Sequence, residues 1–505
     1  MPVRGARGAG MLSDRTIESG VTVEQFHEAA SIGRRQVIDE LLMRFPASAR
    51  IRDPIAMGLR AMKAVTGGDV PAGVALLRRA ASHSDAHVRR YLLELLIPLL
   101  TNTNALDEAA ALLADAGNGN DQLEPAFEGL RAIVAARQGD DAASIAHARA
   151  ALDGGRTSDN PIIVGRVLMR TASAAFFRED LEEAQERALE SARWHERIES
   201  HRNASLSYSF LYVIAHAWLG DPDVARFYAR RMTMSAHVAE DATLVNLGLL
   251  YQLETAAEAG DSRRFGSIRS RLMANPMSEQ FFRERYSYVL AEALSAGWTG
   301  RFDVARAGLL SIRQSEGLPL AERAMCEAML AVIALTTWQL DDARALARRA
   351  IGMTSERSQK EALFESRGRR LARIVAAAVC IIVGDTIRGR RALSRKVDPE
   401  QRFAAIMTVD GIDEIRAPSL MRGYARFINN AVRAAALARP QIGLTEAELE
   451  VLTALPDGST LAAIANALGK SRKTVEKQVS SIYGKLQVTN RAQAVRRARD
   501  LGIFA

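Results

Sequence analysis

The chain has 505 residues, of which 48% are hydrophobic, 6% aromatic and 25% charged, and its net charge is +8 at pH 7. This composition is typical of a long helical chain that buries an extended core, and no block of strand-forming residues stands out. The best candidate for a membrane span, Ile374 to Val383, is too short to cross a bilayer. Cys326 and Cys380 lie in apolar helical settings, where we expect reduced buried thiols or, as the lesser alternative, a redox sensor.

The first fifteen residues contain glycine and arginine but lack the apolar core of a signal sequence. We therefore predict a disordered arm over 1–15, with Met11 as an alternative start. The protein is expected to be cytoplasmic, with no membrane partner.

From residue 16 to residue 396 the sequence is interrupted by helix-breaking dipeptides. Their spacing of 35 to 45 residues indicates an array of helical hairpins. After several breaks a small residue stands five positions on, as Ala184, Ala225 and Ala305 do, which lets two antiparallel helices approach closely. We predict an all-α solenoid over 16–396 that resembles tetratricopeptide repeats. The breaks are Gly33-Arg34, Gly68-Asp69, Asn104-Ala105, Gly139-Asp140, Glu179-Asp180, Gly220-Asp221, Gly260-Asp261, Gly300-Arg301, Gln339-Leu340 and Gly384-Asp385.

Aromatic residues mark both the register of this array and a candidate ligand site. Trp218, Trp298 and Trp338 each stand one or two residues before a break, and their simplest role is core packing within a hairpin. The concave surface of a solenoid binds peptides, partner proteins or small molecules. Arg283 and Arg285, in a stretch rich in aromatic residues, are the predicted ligand-binding residues because a guanidinium grips a carboxylate or phosphate at two points.

The segment 397–440 is predicted to be a helical linker or hinge. Pro399, Gly411 and Pro418 interrupt it before a helix from near Ser419 to Ala438. The basic cluster that precedes it, from Arg388 to Lys396, is either a solvated helix face or a contact with flanking DNA.

The last segment, 441–505, is predicted to form four short helices. Thr445 can cap the first, Ser459 or Thr460 the second, and Ser471 the third. Basic residues fill the first turns of the third helix on one side, as in a helix that lies in the major groove of DNA. The other side of this helix is apolar at helical spacing, with Val475, Val479, Ile482 and Leu486.

A series of ordered positions runs through the same segment: Leu444-Thr445, Glu448, Gly458, Ile464-Ala465, Thr474-Val475, Lys485-Leu486-Gln487-Val488, Asn490-Arg491 and Ala494-Val495. With these positions the segment resembles the four-helix DNA-binding domain of LuxR-type, or GerE-type, regulators. The resemblance implies that Thr474 and Lys485 contact the DNA backbone. It implies also that Glu476, Lys477 and Ser480 face the bases. With Ser471, Arg472 and Lys473, these are the predicted DNA-binding residues.

Several positions depart from that family's pattern, namely Ala447, Ala463, Glu476 and Gln478. A carboxylate at Glu476 repels phosphates but can accept from a cytosine amino group, so we expect an altered sequence preference. Segment 441–505 has nine Lys and Arg against six Asp and Glu, an excess of +3. This modest charge favours binding as a homodimer.

No enzyme activity is expected. Gly469-Lys470-Ser471 imitates the end of a phosphate-binding loop, but Ile464 stands where that loop needs its first glycine. No His or Cys spacing fits a metal site, so we predict no catalytic residue, metal or cofactor. The predicted function is a transcriptional regulator that binds double-stranded DNA, with an array that binds a ligand or protein partner and controls the DNA-binding domain. The alternatives are a repeat scaffold with a weakened DNA-binding domain and, less well supported, a sigma-factor-like module.

Overall fold

The computed structural model describes residues 20–103, 105–116, 122–178, 180–216, 222–274, 282–315, 318, 320–354, 364–393, 422–438, 443–456 and 458–500. All regular secondary structure in these ranges is helical, so the predicted all-α class is confirmed. The arm predicted over 1–15 lies outside the described residues. The chain divides into two compact units, Met1–Gln252 with Ser267–Arg285, and Leu253–Gly266 with Tyr286–Ala505.

The helices follow one another with short connections. The first group is α1 (Val23–Ile32), α2 (Arg35–Met43), α3 (Ala49–Arg52), α4 (Pro54–Thr66), α5 (Val70–Ser82), α6 (Ala86–Asn102), α7 (Leu106–Ala116), α8 (Glu124–Gln138), α9 (Asp141–Arg156), α10 (Pro161–Phe177), α11 (Leu181–Arg197), α12 (His201–Ile214) and α13 (Pro222–Val238). The second group is α14 (Ala242–Ala259), α15 (Ser262–Ala274), α16 (Phe282–Trp298), α17 (Phe302–Arg313), α18 (Leu320–Thr336), α19 (Leu340–Met353), α20 (Phe364–Ile382), α21 (Thr386–Leu393) and α22 (Arg422–Ala438). The last group is α23 (Glu446–Ala454), α24 (Leu461–Ala467), α25 (Arg472–Leu486) and α26 (Arg491–Asp500).

The hairpins turn at the predicted dipeptides. Gly139 ends α8 with a φ of 82°, a left-handed conformation that is unstrained only for glycine. Asp140 then caps α9 by accepting a hydrogen bond from the Ala143 backbone N–H at 2.9 Å. Gly33-Arg34, Gly68-Asp69, Gly139-Asp140, Gly260-Asp261, Gly300-Arg301 and Gly384-Asp385 each lie between two consecutive helices, which confirms the predicted spacing there. At Gln339-Leu340 the turn lies one residue earlier than predicted, because Leu340 is already the first residue of α19. The residues Asn104, Glu179, Gly220 and Asp221 lie outside the described ranges.

Small residues allow the paired helices to pack closely. The side chains of Ala184, Ala225 and Ala305, in the helix that follows each break, have no exposed surface. A larger side chain at these positions would force the two helices of the hairpin apart.

The first unit closes on itself. The Asn203 side-chain amide on α12 donates to the Ser31 carbonyl on α1 at 3.0 Å, across a separation of 172 residues. The Thr243 hydroxyl on α14 donates to the Val65 carbonyl on α4 at 3.0 Å, across 178 residues. Phe127 on α8 is fully buried in the apolar core of this unit.

A cluster of charged side chains lies inside the first unit. Glu94 on α6 is completely buried, and its two carboxylate oxygens accept from Arg166 and Arg170 on α10. His27 Nε2 on α1 lies 3.0 Å from Glu94 Oε2, and Arg166 also donates to the Ser31 hydroxyl at 2.6 Å. Burial alone would raise the pKa of Glu94, but the two arginines hold it well below its ordinary value. An ionised carboxylate therefore ties α1, α6 and α10 together.

The helix of the predicted linker, α22, packs against array helices in the second unit. Phe427 is fully buried, and its ring lies over Gly297, where a Cβ would come within 2.2 Å of the ring. Asn430 Nδ2 donates to the Trp298 carbonyl at 2.8 Å. The rest of the linker, 397–421 with 439 and 440, lies outside the described residues.

The tryptophans do not share one role. Trp298 packs inside the array, with its ring centroid 5.9 Å from that of Phe265. Trp338 has a φ of 58°. Its ring packs against the apolar core of α23 to α26, whereas the sequence predicted packing within a hairpin of the array. Trp218 lies outside the described residues.

Both cysteines are buried, in agreement with the expectation of buried thiols. Burial raises the pKa of Cys326 to about 12 and that of Cys380 to about 11, so both stay protonated at neutral pH. Among the described residues, no helix is both long and apolar enough to cross a membrane. The same residues contain no group of three or more His, Cys, Asp or Glu that could hold a metal ion.

Candidate nucleic-acid interface

Helices α23 to α26 share a small apolar core. The third helix, α25, supplies the four residues predicted for its inner side, and the neighbouring helices complete the core. Its fully or nearly buried members are Val451, Leu452, Leu455, Ile464, Ala465, Val475, Val479, Ile482, Leu486, Ala494 and Ala498. The predicted periodicity of α25 is therefore confirmed, and the opposite side of this helix is left for solvent.

A tight turn fixes α24 and α25 relative to each other. Thr460 caps α24 through the Ala463 backbone N–H at 3.2 Å, which decides between the two predicted caps. Gly469 has a φ of 63°, and the Lys470 backbone N–H donates to the Ala465 carbonyl at 2.9 Å. Ser471 then caps α25 through the Thr474 backbone N–H at 3.1 Å. The result is a helix-turn-helix whose second helix starts with a defined orientation.

The outward side of α25 presents the predicted DNA-binding residues together. Ser471, Arg472, Lys473, Thr474, Glu476, Lys477 and Ser480 are all exposed on its first turns. The helix dipole adds partial positive charge at this end, which favours contact with phosphates. A helix of this size and polarity can enter the major groove of DNA.

Glu476 is paired within this surface. Its Oε1 accepts from Arg472 Nε at 2.8 Å, and the two side chains are 45% and 72% exposed. An exposed pair of this kind is weak, so DNA can separate the two groups at little cost. Lys473 and Lys477 supply the remaining positive charge of the outward side.

Lys485 lies apart from the outward side of the first turns. Its Nζ donates to Glu448 Oε2 at 2.6 Å and to the Gly443 carbonyl at 2.7 Å. Glu448 also accepts from the Ser481 hydroxyl at 2.6 Å and forms a capping box with Thr445. Hydrogen bonding to Lys485, then to Ser481 and Thr445, lowers the pKa of Glu448 to about 2. Backbone contact by Lys485 stays a prediction, while its contacts in the structure hold α23 against α25.

Arg491 has a structural role that sequence reasoning missed. At the start of α26, it donates from Nε to the Leu455 carbonyl at 2.8 Å and from Nη1 to the Ser459 carbonyl at 2.6 Å. The first bond satisfies a carbonyl at the C-terminal end of α23, the second one in the turn before α24, and both fix the fourth helix. The only signal in the sequence is an arginine directly after Asn490, which caps α26 through Gln493 N at 2.9 Å.

Arg283 and Arg285 stay predicted ligand-binding residues. Arg283 and Arg285 belong to α16, but their side chains lie outside the described residues. Of the basic cluster before the linker, Arg388 and Arg390 are exposed on α21, and Arg395 and Lys396 lie outside the described ranges.

Geometry and composition define α23 to α26 as a helix-turn-helix domain with an exposed basic helix. Residues 443–498 match the family model described as bacterial regulatory proteins, luxR family. The chain therefore carries a LuxR-family domain, which supports a role in DNA-binding transcription regulation. A search of curated proteins found no match to this chain.

Proposed function

We propose that the chain is a sequence-specific transcriptional regulator that contacts double-stranded DNA through the first turns of α25. The observation that carries this proposal is the joint exposure of Arg472, Lys473, Thr474, Lys477 and Ser480 on the side of α25 opposite to its core. Thr474 would contact the DNA backbone and Lys473 a phosphate, while Glu476 and Lys477 would face the bases.

In this proposal the tetratricopeptide-like array of 16–396 binds a ligand or protein partner and controls the domain 441–505 through the linker 397–440. Arg283 and Arg285 remain proposed ligand contacts. Binding as a homodimer is proposed because a net charge of +3 on segment 441–505 neutralises few phosphates in one copy.

The test is selection of genomic DNA by the purified full-length protein at two salt concentrations. A Lys473→Ala, Lys477→Ala double variant is compared with an Arg79→Ala, Arg35→Ala variant, which removes the same charge from the first unit. We expect one enriched motif, lost only in the α25 variant, with a salt slope smaller by about 1 because one phosphate contact is lost. Equal, salt-sensitive enrichment in all three proteins would refute sequence-specific binding through α25.

The second proposed function is a repeat scaffold that binds other proteins. It is favoured by an apolar stripe on α13, where Phe227, Met234 and Val238 are each more than half exposed. If the selection experiment finds no motif, a loss of partner binding in Met234→Glu would support this second function.

A further inference from the structure

The second unit contains a groove between its array helices and the helix-turn-helix domain. The cavity has a volume of about 1700 Å³. One wall comes from α18 to α20 with the turn after α20, another from α22, and a third from the end of α23 and from α26. A molecule in this groove would touch both the array and the DNA-binding domain.

The walls of the groove are largely apolar. Every wall contributes apolar side chains to the groove. These include Trp338 and Ile382 from the array, Val432 from α22, and Leu455 and Val495 from the DNA-binding domain. Apolar walls of this extent favour a ligand with a hydrocarbon body over a sugar or a nucleotide.

The charged groups in the groove leave an excess of positive charge. Its two carboxylates are already paired, since Asp341 accepts from Arg344 at 2.7 Å and Asp385 from Arg348 at 2.7 Å. Arg491 adds a third guanidinium, which is bonded to backbone carbonyls.

Arg496 is the guanidinium best placed to hold a ligand. It lines the groove from α26, its side chain is exposed, and no ion pair joins it to a carboxylate among the described residues. The groove therefore holds four arginines against two aspartates, an excess of two positive charges, and a guanidinium binds a carboxylate through two parallel hydrogen bonds.

We propose that this groove binds an amphiphilic carboxylate, with its hydrocarbon body along the apolar walls and its head group on Arg496. This inference rests on the proposed function, because it names the class of ligand that controls the DNA-binding domain. Since the ligand contacts both sides of the groove, its binding changes how strongly the domain is held to the array and so changes its affinity for DNA.

The first test measures binding without DNA. Full-length protein is titrated with decanoate and, in parallel, with decyltrimethylammonium, which has an alkyl chain of similar length and the opposite charge, both below their micelle concentrations. We expect saturable binding of decanoate only. Arg496→Ala should weaken it about fivefold, because one exposed charged contact is lost. Ala436→Phe, which fills the groove from α22, should abolish it.

Arg497→Ala is the matched control, because Arg497 is an exposed neighbour on α26 outside the groove lining. It should bind decanoate as the unchanged protein does. Three results would overturn the site: no saturable binding of decanoate, equal binding of the cationic probe, or equal weakening by Arg496→Ala and Arg497→Ala. A groove that binds an acidic peptide but not decanoate would also overturn it.

The second test measures coupling to the DNA motif found by genomic selection. Saturating decanoate should change the affinity for that DNA at least about threefold, and the DNA should change the affinity for decanoate by the same factor. An unchanged DNA affinity would overturn control through this groove. A protein that binds decanoate but selects no DNA motif would instead refute the proposed function, so the two failures are distinguishable.

Discussion

At the scale of single residues, Glu94 shows how much one buried carboxylate can hold together. Among the described residues of this cluster, Glu94 is the one carboxylate that pairs with Arg166, Arg170 and His27. Removing its charge leaves two guanidinium groups buried without a counter-charge, which is far more costly than breaking an exposed pair.

We predict that Glu94→Gln destabilises the first unit by about 3 to 5 kcal/mol. Glu108→Gln, which breaks an exposed pair with Arg78, should lose less than about 1 kcal/mol. Hydrogen exchange of the α1, α6 and α10 amides measures the difference. Similar exchange in both variants would show that the cluster adds nothing beyond a surface pair.

His195 predicts a pH dependence of the same unit. Burial, and after it the positive charge of Arg166, lowers the pKa of His195 from 6.5 to about 3. The unfolded chain therefore takes up a proton that the folded chain does not, and stability falls as the pH drops from 6.5 towards 3, by about 1.4 kcal/mol per pH unit. The free energy of unfolding of His195→Leu, measured in urea, should lack this dependence on pH. An unchanged slope of that free energy against pH would contradict a neutral His195 in the folded protein.

Glu448 gives a dependence of the same sign at lower pH. Its pKa is lowered from 4.5 to about 2, so its contribution to stability is complete above pH 4.5 and is lost as the pH falls towards 2. We predict that Glu448→Gln speeds hydrogen exchange in α23 and α25 by a constant factor between pH 5 and 8. Glu446→Gln, in the same first turn, is the control. An acceleration of exchange that changes with pH in that range, or equal effects of Glu448→Gln and Glu446→Gln, would contradict the lowered pKa of Glu448.

At the scale of helices and hairpins, Trp338 is an exception among the breaks. Gly33, Gly139, Gly300 and Gly384 adopt positive φ at corresponding positions, whereas Trp338 does so with a full side chain. That conformation costs about 1 to 2 kcal/mol for a residue with a Cβ. Its indole packs against the core of α23 to α26, so the strain is offset by contact with the DNA-binding domain.

We predict that Trp338→Gly leaves exchange in α18 and α19 unchanged or slower, because the turn is relieved of strain. Exchange in α26 should become faster, since the indole no longer packs there. Trp298→Gly is the contrasting variant and should loosen α15 and α16 instead, because the indole no longer packs against Phe265. Faster exchange in α18 and α19 of Trp338→Gly would contradict the idea that the backbone at Trp338 is strained and that contact with the DNA-binding domain offsets the strain.

Local features were predictable at this scale, and long-range ones were not. The breaks, the caps at Thr445 and Ser471 and the inner side of α25 follow from spacing and from residues that act on their immediate neighbours. The pairing of Glu94 with Arg166 and Arg170 joins residues 72 and 76 positions apart, and nothing near either end of such a pair indicates its partner. Arg491 was missed for the same reason, because its acceptors belong to a turn more than thirty residues away.

At the scale of the whole molecule, the modest charge of the DNA-binding domain predicts a paired mode of binding. We expect the selected motif to contain two half-sites and two protein copies to bind it, as sedimentation with the selected DNA would show. Destroying one half-site should weaken binding more than about tenfold. A complex of one protein copy with unchanged affinity for a single half-site would refute the homodimer.

The closure of the first unit restricts how this protein can have evolved. An open row of hairpins tolerates the duplication or loss of one member, because each contacts only its neighbours. Here the bonds from Asn203 to Ser31 and from Thr243 to Val65 require a fixed number of helices between their ends. A duplicated hairpin within this unit would separate those partners, so gains and losses of repeats in homologous chains should fall outside it.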